Sequence, residues 1–106
     1  MALAHARPGE KVHLPSLAAA TEARATALVK TKAFEAAQIV LRAGDEIARH
    51  AVPGYATIHC LDGTIVLETD ERIQMSAGDW LYLDRGEAHS VSAVEDGSLL
   101  VTILFE

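Results

Sequence analysis

From residue 25 onward the chain is cut by turn residues at intervals too short for helices and regular enough for a sheet. Gly44-Asp45, Pro53-Gly54, Asp62-Gly63, Gly78-Asp79 and Asp96-Gly97 each close a short run rich in Val, Ile, Leu and Thr. Glycine and proline at such joints punctuate strands, because they supply the backbone angles that reverse a chain. The runs at 25–31, 34–41, 47–52, 57–61, 64–68, 72–75, 80–83, 89–94 and 98–105 read as eight or nine strands. Pro53-Gly54 suits the centre of a type II turn, and Thr69-Asp70-Glu71 the tip of a β-hairpin. Closely spaced strands without intervening helical periods indicate an all-β sandwich or barrel rather than an α/β sheet.

The first 24 residues have a different texture and read as an N-terminal arm preceding a barrel domain at 25–106. Pro8-Gly9 marks it as irregular. Val12 and Leu14 flank His13 and offer a short edge strand, and Ser16 is placed to cap a brief helix over 17–22. An arm strand that adds to a partner's sheet is one way to cover an edge, so the expected assembly is a homodimer.

With 106 residues, half of them hydrophobic, the chain has room for one domain and one core. Nine basic against fifteen acidic residues give a net charge of -6, the wrong sign for nucleic acid or an anionic membrane surface. No apolar run approaches the roughly 18 residues of a membrane span. A single cysteine, Cys60, suits a reducing compartment. Pro8, Gly9, Glu10 and Lys11 stand where a signal peptide needs its apolar segment, so a cytoplasmic location is expected.

Two stretches carry the chemistry. In the first, Gly44 is followed after five residues by His50, with Gly63 further on; in the second, Gly78 is followed after seven residues by Gly86 and after two more by His89. This framework resembles the cupin family, and among its members the small RmlC-like proteins with a His-x-x-Pro-Gly turn, here His50-Ala51-Val52-Pro53-Gly54. The resemblance implies a jelly-roll barrel, or double-stranded β-helix. It also implies an interior divalent metal held by three imidazoles and a carboxylate. Here Val52 stands at the second histidine position, Ala56 at the glutamate, Asp84 at a proline and Ala93 at an asparagine. The metal motif is therefore degenerate, and a transition ion (Zn, Fe, Mn or Ni) is weakly held or absent.

His50 and His89 have two readings, as a residual metal or ligand pair or as hydrogen-bonded interior histidines. If Ala56 faces inward, strand alternation turns Ile58 and Cys60 inward and His59 outward; a one-residue slip reverses this. Either His59 or Cys60 is then a third metal donor, although a lone interior cysteine commonly behaves as a small hydrophobe. Trp80 and Tyr82 share a face, lining a pocket, forming a dimer interface or packing in the ordinary way. Asp84, Arg85 and Glu87 make a charged loop at the mouth of the site. Asp45 and Asp79, each after a glycine, serve turn geometry.

Three functions fit these residues. The first is a small-molecule-binding barrel whose pocket is lined by Val52, Ala56, Ile58, Cys60, Tyr82 and Val91, with His50 and His89 as polar anchors. The second is a metal-dependent dioxygenase or isomerase using the two histidines and a third donor. The third is a structural or interaction module with a vestigial pocket.

Overall fold

In a computed structural model, residues 5–14 and 24–105 are described, and four of their turns are built alike. In the turns 7–10, 42–45, 76–79 and 84–87 the fourth residue is Glu10, Asp45, Asp79 or Glu87. Its carboxylate accepts from the N–H of the turn's first residue, at 2.9 Å in both aspartate turns. Its own N–H donates back to that residue's carbonyl. The third residue is glycine at positive φ, +90° at Gly44 and +94° at Gly78, as a type II turn requires. The Ala-Gly-Asp tripeptide at 43–45 and 77–79 is thus one local solution used twice, and Asp45 and Asp79 have the turn role that their position after glycine suggests.

Among the described residues these turns and others join nine strands: β1 (Arg24–Lys30), β2 (Phe34–Leu41), β3 (Glu46–His50), β4 (Gly54–Asp62), β5 (Thr64–Glu68), β6 (Arg72–Ser76), β7 (Trp80–Leu83), β8 (His89–Ala93) and β9 (Gly97–Phe105). They form a five-stranded sheet in the order β1-β2-β9-β4-β7 and a four-stranded sheet in the order β3-β8-β5-β6, with every pairing antiparallel. Non-sequential neighbours such as β2-β9 and β3-β8 produce the jelly-roll arrangement, two sheets facing each other across one interior. The fold is all-β.

That interior is packed by residues at alternate positions of the long strands. On β4, Ala56, Ile58 and Cys60 are buried while Tyr55, Thr57 and His59 are not. Leu99 of β9 meets Ile65 and Leu67 of β5 and Met75 of β6 in the same cluster, all almost fully buried. Each such aliphatic side chain contributes roughly 1.5–3 kcal/mol by leaving water.

The boundaries differ from the sequence reading in two places. β3 stops at His50, so Val52 lies beyond it, and Gly54 opens β4 instead of sitting at the centre of a type II turn. Gly54 is not among the positive-φ glycines. Its N–H closes a three-residue turn on the Val52 carbonyl, and a Cβ there would collide with the Leu104 carbonyl oxygen. Glycine is needed at 54 for close strand approach, not for a special angle. The segment at 12–14 is not a strand in the single chain, and Val12 is exposed. The helix expected at 17–22 lies outside the described residues.

Candidate functional site

His50 and His89 face each other across β3 and β8, where they are direct pairing partners. Ile47 pairs with Val91, two residues from His89, yet His50 is three residues from Ile47, so β3 carries one extra residue in the interval. Strict alternation would turn His50 to the side opposite Ile47; the bulge brings it back to the interior side. The ring centroids are 4.4 Å apart, with planes inclined at 53°.

Both rings are held in the same manner. The Nδ1 of His50 lies 2.9 Å from the Ala48 carbonyl and that of His89 lies 3.0 Å from the Glu87 carbonyl, in each case two residues earlier. A carbonyl oxygen only accepts, so each Nδ1 carries the proton. In the neutral rings Nε2 is then the atom with a lone pair to offer. His89 is buried and His50 is exposed, which puts the first inside the barrel and the second at its rim.

The two imidazoles open onto a cavity of about 240 Å³. Val52, Ala56, Ile58 and Val91 line it, and Leu99, Val101 and Ile103 of β9 extend the apolar wall. Glu35 of β2 also lines it, a residue that sequence reasoning passed over. The run of Ala36-Ala37-Gln38-Ile39-Val40 has no clean alternation of character to say which way Glu35 points.

Three of the expected site residues lie elsewhere. Tyr82 is 63% exposed on the outer face of β7, beside Trp80, because Leu81 and Leu83 are the residues that turn inward. His59 sits opposite Trp80 on that same outer side, so β4 has not slipped and His59 is no third donor. Cys60 does face the core but lies beyond the cavity wall, its thiol against the carbonyl oxygens of Asp62 and Gly63 at 3.4 and 3.7 Å. Burial, and then the carboxylates of Asp79 and Asp62, push the Cys60 thiol up. A protonated thiol is a poor metal ligand. At the charged loop, Glu87 is engaged by the Asp84 N–H and the Arg85 guanidinium stacks over the Tyr55 ring at 5.4 Å.

A cupin-domain family model matches residues 37–105, well over half of the chain. The chain belongs to the cupin family. Solved structures agree in fold. A cupin superfamily protein from Desulfitobacterium hafniense is 18% identical, with 88% of this chain and 90% of that one covered at a TM-score of 0.80. A conserved Streptococcus pyogenes protein of unknown function is 22% identical, with coverage of 100% and 98% and a TM-score of 0.81. An RmlC-like cupin from Desulfovibrio desulfuricans is 25% identical, with coverage of 87% and 97% and a TM-score of 0.73. No curated protein matches the chain.

The metal that cupin membership implies does not fit this donor set. Val52 and Ala56 bring aliphatic carbon to two of the four ligand positions, and both line the cavity. Among the described residues no three of His, Cys, Asp or Glu gather closely enough to hold an ion. Glu35 shares the cavity but hangs from the opposite sheet. A catalytic site ordinarily fixes its metal with three protein ligands, and the described residues of this cupin present two.

Proposed function

We propose that this cupin binds a small organic molecule in its barrel cavity, with the Nε2 atoms of His50 and His89 as polar anchors. The observation that carries the reading is the join of an aliphatic cavity to two imidazoles whose other nitrogens are already committed to backbone carbonyls. Ligand sites are mostly apolar concavities with a few fixed polar groups. At about 240 Å³ this one lies just below the range for drug-sized ligands, so its occupant is smaller. An open cavity at the histidines also favours binding over a purely vestigial interior.

The test is an NMR titration of the full chain with 1,4-butanediol, following the His50 and His89 ring protons. Saturable shifts at both rings are expected, and the Ala56→Phe variant, which fills the cavity, should lose them while keeping its circular dichroism. Unmoved ring signals in the parent chain at the highest soluble probe concentration would falsify the reading.

A further inference from the structure

We infer that the cavity selects a small primary amine, with the ammonium group at Glu35 and a second hydrogen-bond donor at the histidine pair. This rests on the binding reading above and names its ligand class.

The argument is one of donors and acceptors. Among the described residues lining the cavity, the polar side chains are Glu35, His50 and His89; the others are aliphatic or alanine. An ionised carboxylate only accepts hydrogen bonds, and a neutral imidazole whose Nδ1–H is spent on a carbonyl accepts at Nε2. The lining side chains therefore present three acceptors and no donor. A ligand rich in acceptors, such as a carboxylic acid, meets lone pairs opposite its own and a negative charge opposite its own. A ligand with an ammonium at one end satisfies the carboxylate with charge-assisted bonds.

The placement sets the ligand's form. His50 and His89 hang from the four-stranded sheet and Glu35 from the five-stranded one, so the two polar ends lie on opposite walls. Glu35 pairs with Ile103, and Ile103 with Ala56, so the carboxylate occupies the same cross-strand row as Ala56, two strands away. Facing sheets pack about 10 Å apart. With side chains reaching in from both walls, a chain of a few heavy atoms spans the gap. A short amino alcohol or diamine has donors at both ends and an apolar middle that suits the aliphatic walls.

Glu35 already has a partner in Lys30, at 3.9 Å. That lysine is 61% exposed, and exposed pairs at such separations are weak and screened by salt. A ligand ammonium inside the cavity competes with it on favourable terms.

The experiment compares 4-amino-1-butanol, 1,4-butanediol and 4-hydroxybutyrate, near-isosteric molecules differing at one end, by the same histidine-signal titration. The amino alcohol should bind on the order of tenfold more tightly than the diol, and the acid most weakly. Glu35→Gln should remove the preference for the amine, so that the amino alcohol and the diol bind alike. Lys30→Met should strengthen amine binding by freeing the carboxylate. Equal binding of amine and diol, tighter binding of the acid, or an amine preference that survives Glu35→Gln overturns the inference. Diol binding without amine preference sinks this inference alone, whereas the absence of any binding sinks the cavity reading with it.

Discussion

His50 and His89 are pairing partners on adjacent strands, yet one ring is buried and the other stands at the rim. This asymmetry predicts unequal costs of truncation. His89→Ala leaves the half-buried Glu87 carbonyl without its partner and removes packed atoms, and should destabilise by about 1–3 kcal/mol. His50→Ala, whose carbonyl partner can turn to water, should cost less than about 1 kcal/mol. Urea unfolding of both single variants and the double variant checks the order and gives the coupling between the rings.

Restoring the missing donors should restore metal binding. In the parent chain, added Ni²⁺ or Zn²⁺ is expected to leave the melting temperature unchanged. In a Val52→His, Ala56→Glu variant, two imidazoles become three and a carboxylate joins them, and the same ions should raise it by several degrees. The measurement requires protein without a histidine tag. An equal rise in parent and variant would count against the account of the donor set.

Asp96 should govern part of the acid limb of stability. The Ala43 N–H and then the Arg42 guanidinium, each 2.8 Å away, hold its carboxyl below the ordinary range and tie the β2–β3 turn to the β8–β9 turn. A carboxylate with a depressed folded-state pKa stabilises at pH above its unfolded value, and the contribution disappears as pH falls through the folded value. The loss therefore falls on the acid side of about pH 4. Asp96→Asn should lower stability at neutral pH and flatten the acid limb in pH-dependent denaturation.

For Cys60 the sign is opposite. Its thiol is pushed up, first by burial and then by Asp79 and Asp62, so its stabilising effect is complete at neutral pH. That effect declines as pH rises past the ordinary thiol value of about 8.5 towards the folded one. The native thiol should react with iodoacetamide on the order of a hundredfold more slowly than the thiol in urea. Rapid labelling of the native chain at neutral pH would show that this end of the barrel opens.

The aromatic pair excluded from the cavity stands on the outside of its sheet. Trp80 is 58% exposed, Tyr82 63% and Leu104 41%, all on the outer face of the five-stranded sheet, and the two rings lie 6.4 Å apart. We propose that two copies pair over this face, since aromatic residues are enriched at interfaces. Light scattering should report a dimer for the parent chain and a monomer for a Trp80→Ser, Tyr82→Ser variant. A parent that stays monomeric at high concentration would refute it.

How much of this was legible in the sequence follows from what each residue depends on. Asp45 and Asp79 declare their role locally, since a glycine followed by an acid forms its turn from four residues. The barrel itself was legible for the same reason: its joints are local. Tyr82 was not, because β7 has a large apolar or aromatic side chain on each face and alternation alone does not say which face is inside. Glu35 was hidden by the opposite problem, a charged residue at an inward position in a strand of weak alternation. Its environment is supplied by β9 and β4, strands far away in sequence.

The extra residue in β3 gives chain length a chemical meaning at this site. Straightening β3 at its present length would keep both imidazoles in the sequence, but strict alternation over the three residues from Ile47 to His50 would point the first of them at solvent. Residue identity alone is thus an incomplete record of this barrel's chemistry. A relative with both histidines at this same spacing but no bulge would have the letters of the pair without the pair.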